Sequence, residues 1–527
     1  MAVSALLLVV ATTSVGAQPV AGLGEDAIPL PARGLRVMIG AQWDQWDRRL
    51  LPDGAGAPLL DGLSTPNFGT TQLPALNNAE QGIRNLVGAS DFQLSLGALE
   101  ARGGVRRSTS ILQADFGVTR RVSLGVRIPY VEVVHDARLV LNRDGSGANV
   151  GANPQDVNNG VIFNQLAIAR NQLLNAINAC GTTGTGALCE AILANPAAAA
   201  SLAVRTQAFR AAWGAVYGDG AGAGAPVVPI QGGTSHVAIG EALAALREDF
   251  TRYFTTNIPA TGPRGALRVF GSNGLQELVQ DSAFGVLADT LDRAFRAGMG
   301  DIDVEARVLL FDTWRGNQAA RLATTRSGFR VLASAGWRFG TASSAQANEP
   351  FALALGDGVN AILLRATADA VWKQRAWVSA TVRTTTPLQD NAFVRLPGAG
   401  LPEFFFLGTP TAVSRALGQR IDLEVAPRLN LGDKFGVSAS WLLRSQAGDR
   451  YEPTDGGTAF ETLSGSAQYG AIGVTYSTLS AFTRGRSKFA VEVMFAHEVA
   501  LSASSVGVPA LVRDRLELRI YRGFPRR

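Results

Sequence analysis

The chain has 527 residues, of which 46% are hydrophobic and 17% charged, and its formal net charge is +5. No run of about 20 apolar residues occurs after the N-terminus, which excludes membrane spans made of hydrophobic helices. The basic residues are nearly all arginines, and they are scattered rather than interleaved with aromatic residues, which argues against nucleic-acid binding.

The first 17 residues predict a secretory signal peptide, with an apolar core at residues 5–11 and a cleavage site resembling Val15-Gly16-Ala17. The alternative is a buried first strand or helix. Export would bring Cys180 and Cys189 into an oxidising compartment, where we expect a local disulfide between them. Two unpaired small hydrophobic side chains are the alternative there.

Alternation of apolar and polar residues predicts β-strands over much of the chain. In ADFGVTRRVSLGVRIPYVEVV (114–134) two alternating ribbons flank a short turn near residue 120. The same pattern predicts strands that start near residues 34, 107, 121, 301, 328, 361, 375, 419, 434, 469, 487 and 512. Each ribbon is about ten residues or slightly longer, which is the length that a tilted strand needs to cross a bilayer. The Gly-rich region 47–105 is the least regular and leaves room for one more hairpin.

Between residues 155 and 298 the apolar period becomes helical, as at Ile162, Leu166, Leu173 and Ile177. Asn195-Pro196 predicts the start of an Ala-rich helix, and residues 240–254 and 275–295 predict two more. This segment joins an outgoing strand to a returning one, so we expect it on the extracellular side or folded into the mouth of the barrel. A separate soluble domain is the alternative.

Twelve predicted strands, with short turns alternating with long loops, indicate an all-β transmembrane barrel of about 12 antiparallel up-and-down strands with a helical extracellular insertion. Aromatic residues near strand ends would mark the membrane interfaces: Tyr130, Trp337, Phe339, Trp372 and Trp441. The alternative for any single strand is a soluble β-sandwich. The predicted units are the signal peptide (1–17), the N-terminal barrel strands and loops (18–154), the insertion (155–298) and the C-terminal strands (299–527).

Strand parity predicts a charged inner face. The candidates for lining the lumen are Asp115, Arg127, Asp303, Glu305, Arg307, Arg338, Arg365, Asp369, Arg383, Asp422, Glu424, Arg444, Glu492, Glu517 and Arg519, and parity also turns Arg36, Arg330 and Arg515 inward. One interpretation is a constriction that selects solutes by size and sign. The other is a salt-bridge network that fills a narrow barrel, in which buried charges must pair or stay hydrated.

A Phe-rich stretch, LPEFFFLGTP, is predicted to lie in a long extracellular loop. Phe404, Phe405 and Phe406 would be unfavourable in water and could form an apolar entry site for a solute at the mouth. Packing against the helical insertion is the alternative, and the sequence does not decide between them.

The histidines His135, His236 and His497 are predicted to be solvated, at strand rims or in a linker, because no residue pattern completes a catalytic triad around them. Neither cysteine has the His or Cys neighbours that a zinc site requires. The sequence therefore predicts no catalytic residue, no metal site and no cofactor.

Three stretches carry a family resemblance: DFGVTRRVSLGVRIPYVEV, GMGDIDVEARVLL and RIDLEVAPRLNLGDKFGVSASWLLR. They resemble the outer-membrane channel proteins named for the meta-pathway of phenol degradation, which are similar in style to the fatty-acid porins. The resemblance covers residues 107–134 and 298–524. It implies passage of small solutes, hydrophobic or aromatic ones among them. Barrel proteins of this kind often end on an aromatic residue that the assembly machinery recognises, whereas here Phe524 is followed by three further residues.

These observations predict an outer-membrane β-barrel channel for passive uptake of small, hydrophobic or aromatic solutes in a Gram-negative-type bacterium. The expected partners are outer-membrane lipid, a small-molecule solute and the barrel assembly machinery. Two alternatives stay open: an outer-membrane hydrolase of the lipase or esterase type, and a barrel without transport that displays the helical insertion at the cell surface.

Overall fold

A computed structural model describes residues 22–523, with gaps at residue 29, 144–146, 182–183, 220–223, 272, 290, 292, 315–326, 373–374, 398–405, 433, 484 and 506–507. The predicted signal peptide (1–17), Phe404, Phe405 and the chain end from Phe524 therefore lie outside the described residues.

The described chain is mostly strand, with helices in three stretches of the sequence. The strands are β1 (Leu35–Trp46), β2 (Arg48–Leu50), β3 (Gly56–Pro58), β4 (Leu99–Gly117), β5 (Val122–Leu141), β6 (Val150–Ala152), β7 (Val227–Pro229), β8 (Ala294–Met299), β9 (Ile302–Asp312), β10 (Gly328–Phe339), β11 (Ala361–Trp372), β12 (Ala376–Pro387), β13 (Asp390–Arg395), β14 (Pro410–Ala416), β15 (Arg420–Leu431), β16 (Phe435–Gln446), β17 (Arg450–Pro453), β18 (Phe460–Glu461), β19 (Gly465–Ser477), β20 (Ala490–Ala503), β21 (Val508–Pro509) and β22 (Val512–Arg522). The α-helices are α1 (Asn77–Val87), α2 (Val157–Cys180), α3 (Ala187–Ala194), α4 (Pro196–Tyr217), α5 (Thr234–Thr251), α6 (Gly274–Gln280) and α7 (Leu479–Thr483).

The long strands close into a barrel. Neighbours follow the order β1, β4, β5, β9, β10, β11, β12, β15, β16, β19, β20, β22 and back to β1, and every pairing is antiparallel. β8 and β9 both pair with β5 and make one barrel strand, interrupted at Gly300 and Asp301. Closure leaves no unpaired barrel edge, which is the condition for strands to exist in hydrocarbon. The predicted transmembrane barrel of about 12 up-and-down strands is confirmed.

Predicted and observed strand starts agree closely, except that the barrel strand made by β8 and β9 starts at Ala294 rather than near residue 301, and that the second barrel strand also starts early. The second barrel strand starts at Leu99 rather than near residue 107, because β4 and β5 are long and extend past the other strands. Among the described residues of region 47–98 there is no further barrel hairpin. That region forms β2, β3 and α1 instead.

The barrel has two unlike ends. We call the end with the connections 118–121, 373–375 and 432–434 the turn end, and the end with 142–293, 388–419 and 447–464 the loop end. The helical insertion sits at the loop end, where its core shares residues with the upper parts of β4 and β5, such as Leu99 and Ala137. It is therefore built onto the barrel wall.

One predicted helix of the insertion is wrong over most of its length. Residues 275–295 were expected to be helical throughout, but α6 ends at Gln280. Asp281 then caps a short 3₁₀ turn through its side chain, and Gly285 and Leu287 take left-handed φ values of 72° and 52°, which no α-helix accommodates. Residues from Ala294 already belong to β8. No single described helix is long and apolar enough to cross a membrane. Taken together, α3 and α4 reach the necessary length and apolar composition, but a 92° bend separates the two helices.

Side chains alternate across the barrel wall as predicted. The outer face carries two groups of aromatic residues. The group near the turn end is Phe116, Phe311, Phe329, Trp372, Phe435 and Tyr476. The group nearer the loop end is Trp43, Tyr130, Trp337 and Phe339. Trp441 is also outside but lies near the middle of β16. Phe329 and Trp337 are eight residues apart on β10, roughly 26 Å along a tilted strand, which suits the apolar band of such barrels.

The outer face yields a first prediction. Ile39 lies on β1 about midway between the two aromatic zones and is 53% exposed. Ile39→Arg should lower the free energy of unfolding in lipid vesicles by about 2–4 kcal/mol, because the charge would sit at the bilayer midplane. Denaturant titration of the refolded protein measures this value.

Val157→Arg is the matched control, since Val157 is 82% exposed at the start of α2, away from the barrel wall. It should change the unfolding free energy by less than about 0.5 kcal/mol. An equal effect of the two variants would contradict a lipid-facing position for Ile39.

Candidate functional site

The structure places all the predicted lumen residues on the inner face of the barrel, where most of them form ion pairs. Asp115 is 1% exposed and binds two cations, Arg36 at 2.9 Å and Arg307 at 3.3 Å. Further pairs are Arg338–Asp303, Arg365–Glu305, Arg383–Glu424, Arg444–Asp422, Arg330–Asp369, Arg515–Glu517 and Arg519–Glu517. Glu492, which is fully buried, accepts a 2.5 Å hydrogen bond from the Tyr521 hydroxyl.

An N-terminal segment fills the half of the lumen nearer the turn end. We call residues 22–28 with Leu30 the N-terminal plug. Its two carboxylates join the charge network of the wall: Glu25 binds Arg365 at 2.8 Å, while Asp26 lies 3.5 Å from both Arg36 and Arg519. No sequence pattern indicated that these residues lie in the lumen.

The wall also binds the backbone of the N-terminal plug. Arg428 donates hydrogen bonds to the carbonyl oxygens of residues 23, 24 and 25 at 3.1, 3.3 and 3.2 Å. Asp369 accepts one from the amide of Ala27 at 2.9 Å, and the Ser438 hydroxyl accepts one from the amide of Leu23 at 3.1 Å. Among the described residues, the plug has no strand pairing with the barrel. Side chains hold it in place.

An apolar floor closes the turn end below these polar contacts. Ile28 and Leu30 of the N-terminal plug pack with Trp314, Trp377 and other buried residues into one cluster. The guanidinium of Arg330 lies 4.7 Å from the Trp314 ring centroid and 5.2 Å from that of Trp377, at distances typical of cation–π contacts. The floor and the ion pairs together fill this half of the lumen.

The loop end of the lumen contains a cavity of about 410 Å³, which we call the outer cavity. Its lining comes from inward-facing strand residues and from the two connections 447–464 and 504–511: Asp44, Trp46, Arg107, Arg444, Gln446, Ala447, Thr462, Leu463, Gly465, Ser466, Ala467, Tyr469, Ser505, Val508, Pro509, Leu511 and Arg513. A second cavity of about 530 Å³ lies in the insertion, beside α2 and the start of α5.

The outer cavity has an apolar wall, with three arginines among its other lining residues. Trp46, Tyr469, Val508 and Leu511 belong to a single apolar cluster with Leu442. The arginines are Arg107 on β4, Arg444 on β16 and Arg513 on β22, and the guanidinium of Arg444 lies near the Tyr469 ring. Of this lining only Arg444 appeared among the predicted lumen residues. Arg107 and Tyr469 stood at predicted strand starts, where strand boundaries are least certain from sequence.

The structure shows where Phe406 of the Phe-rich loop and the two cysteines lie. Phe406 is fully buried, with its ring centroid 5.5 Å from that of Phe351, and it belongs to the core of the insertion. This placement agrees with packing against the insertion and leaves Phe406 away from the mouth surface. Cys180 and Cys189 form a disulfide that links the end of α2 to α3.

The prediction of a solvated rim is wrong for His135. This residue is 6% exposed, and its Nδ1 lies 2.9 Å from the carbonyl oxygen of Phe351, because the loop 340–360 folds back over the end of β5. His236 lies within α5 rather than in a linker, and its Nε2 is 2.9 Å from the carbonyl oxygen of Pro263.

His497 bears on the hydrolase alternative. Its Nδ1 lies 2.9 Å from Oδ1 of Asp514, a partner that the sequence did not indicate. Both residues have outward parity on β20 and β22, next to Ile472 and Trp43 on the flanking strands. Within the described part of the chain no serine or cysteine contacts His497, and no cluster of three metal-ligating side chains occurs.

Comparisons with known proteins add little at the level of sequence. No family model matches the chain, and no curated protein matches it. Solved structures similar to it include an outer membrane channel from Pseudomonas putida F1, at 8% identity and a TM-score of 0.41, covering 95% of this chain and 99% of that one. The CymD monoaromatic hydrocarbon channel has 8% identity and a TM-score of 0.25, with 94% and 89% covered. The toluene transporter TodX of P. putida has 10% identity and a TM-score of 0.25, with 95% and 94% covered.

The lumen network yields a second prediction. Asp115→Asn should lower the free energy of unfolding by about 3 kcal/mol or more, because it leaves Arg36 and Arg307 buried without their shared carboxylate. Asp136→Asn is the control. Asp136 forms an exposed pair with Arg106 at 3.0 Å, and its loss should cost less than about 1 kcal/mol.

Denaturant titration of both variants in the same vesicles gives the comparison. A neutral effect of Asp115→Asn would mean that water hydrates these arginines and that the network is not packed.

Proposed function

We propose that this chain is an outer-membrane channel for small solutes, which enter at the loop end and leave past the N-terminal plug at the turn end. The loop end, with the insertion, faces the outside of the cell, and the turn end faces the periplasm, as in barrels with short periplasmic turns. The solute class that the sequence resemblance favours is small and hydrophobic or aromatic.

The observation that carries the proposal is the asymmetry of the lumen. Its outer half has an open cavity with an aromatic wall, whereas its inner half is closed by the N-terminal plug. A barrel whose task was only to display the insertion would gain nothing from an open amphipathic cavity inside its own wall. The cavity volume suits a molecule of one aromatic ring with a substituent.

The N-terminal plug is suited to act as a gate because side-chain contacts, and not strand pairing, hold it in the lumen. Barrel strands are fixed by continuous backbone ladders, and removing one would open the sheet. The N-terminal plug is held instead by ion pairs, by hydrogen bonds to side chains and by the two apolar residues Ile28 and Leu30. Shifting it leaves the strand pairing of the wall intact, so solute passage does not require the barrel to unfold.

Conductance measurements test the proposal. In planar bilayers the double variant Glu25→Ala, Asp26→Ala should raise the open probability or the single-channel conductance at least severalfold, because the plug loses its ion pairs to Arg365, Arg36 and Arg519. Uptake of toluene or phenol into vesicles should increase in parallel.

Asp53→Ala combined with Asp455→Ala is the matched control. It also removes two carboxylates, from exposed sites in the loops. Its conductance should equal that of the wild type. If folded wild type and plug variant both lack conductance and solute flux, the channel proposal is wrong.

A further inference from the structure

We infer that the outer cavity is a binding site for a small organic anion with an apolar body, such as an aromatic carboxylate. Arg107 binds the anionic group, and the wall formed by Trp46, Tyr469 and Leu511 receives the apolar part. The inference rests on the proposed function for the direction of travel and specifies the class of solute at this site.

A row of charged residues lies at one level of the barrel, near the outer cavity. Arg107 on β4 is the register partner of Asp44 on β1, which is the partner of Arg513 on β22, which is the partner of Glu498 on β20. The row therefore alternates in sign across four neighbouring strands. A carboxylate stands on both sides of Arg513, but only on one side of Arg107.

The carboxylate beside Arg107 is already engaged. Arg513 donates to Oδ1 and Oδ2 of Asp44 at 2.7 and 3.2 Å, and Gln42 donates to both oxygens at 3.0 Å. Arg513 also binds Glu498 at 3.0 Å. In the described part of the chain, Arg107 forms no ion pair. It has one hydrogen bond, 2.8 Å long, to the carbonyl oxygen of Leu355.

The other lining arginine is neutralised as well. Arg444 binds Asp422 through two hydrogen bonds of 2.9 and 3.2 Å. Its guanidinium lies 5.7 Å from the ring centroid of Tyr469. Arg107 is therefore the lining cation whose charge and remaining donors are free for a ligand. A planar guanidinium with free donors is suited to binding a carboxylate by two parallel hydrogen bonds.

A deeper residue continues the same pattern. Arg127 has inward parity on β5, and within the described chain it has neither an ion pair nor a hydrogen bond. Its register partners are Gln113 on β4, six residues along that strand from Arg107, and Asp303 on β9, whose carboxylate binds Arg338. Arg127 therefore lies between the outer cavity and the N-terminal plug. Two unpaired cations thus stand in sequence along the proposed path, and both attract an anion inward.

The apolar wall decides what kind of anion fits. An inorganic anion would satisfy Arg107 but would leave the aromatic and aliphatic wall in contact with water. A neutral hydrocarbon would cover that wall but would leave the free guanidinium without a partner. An aromatic carboxylate satisfies both, and its ring can also lie against Tyr469 and Trp46.

Binding to the detergent-solubilised full chain tests this inference without any need for transport. Isothermal titration calorimetry compares four probes: benzoate, benzyl alcohol, acetate and inorganic phosphate. Benzoate should bind at least about tenfold more tightly than each of the others, because only benzoate has both the charge and the ring. Comparable affinities for benzoate and benzyl alcohol, or for benzoate and phosphate, would overturn the inference on the wild-type protein alone.

Variants then locate the site. Arg107→Gln should weaken benzoate binding about tenfold or more and leave benzyl alcohol unaffected. Arg106→Gln is the matched control, because Arg106 immediately precedes Arg107 on β4, is exposed on the outer face and pairs with Asp136. It should change benzoate affinity by less than about twofold. Arg107→Lys, which keeps the charge, should give an intermediate loss and serves if Arg107→Gln does not fold. Equal losses in the Arg106 and Arg107 variants would refute the assignment.

Vesicle flux separates this inference from the proposed function. If benzoate binds with the predicted dependence on Arg107 but does not cross the membrane, the anion site stands and the channel proposal fails. If benzoate and benzyl alcohol cross equally fast and Arg107→Gln changes neither rate, the channel proposal stands and the anion site fails.

Discussion

The constraint on which the structure depends is that hydrocarbon offers no hydrogen bonds to a backbone. Every amide and carbonyl in the barrel wall must be paired within the sheet, so the sheet has to close. Closure fixes which side chains face inward, because successive residues of a strand alternate between its two faces. The ring from β1 through β5 to β22 therefore determines the chemistry of the lumen.

Charges on the inner face have to be compensated because the barrel is narrow. Asp115 between Arg36 and Arg307 illustrates how the wall neutralises itself across strands. The wall is not sufficient by itself, however, since Arg365 and Arg519 also bind Glu25 and Asp26 of the N-terminal plug. The plug thus completes the electrostatics of the wall as well as blocking its inner half.

Much of this could be predicted from the sequence, because strand parity is a local property. The strand number and the inward direction of residues such as Asp303 and Arg338 followed from alternation, and the insertion followed from the change to a helical period. The N-terminal plug could not be predicted this way, since residues 22–30 have no alternation and their partners, apart from Arg36, are hundreds of positions away. The burial of His135 depends similarly on a loop that folds back from residue 351. The helix predicted to reach residue 295 failed because apolar spacing does not register left-handed residues such as Leu287.

The distribution of unpaired charge along the lumen distinguishes the two interpretations that the sequence left open. A network that only stiffened the barrel should pair its cations equally well at both ends, because an unpaired buried charge is destabilising wherever it lies. In the open half Arg444 and Arg513 do bind carboxylates, whereas Arg107 and Arg127 have no ion pair among the described residues. A free guanidinium in such a position is tolerated because water reaches it. Water that keeps an arginine hydrated can also be displaced by a solute, so the residues that stabilise the barrel least are those best placed to bind what enters it.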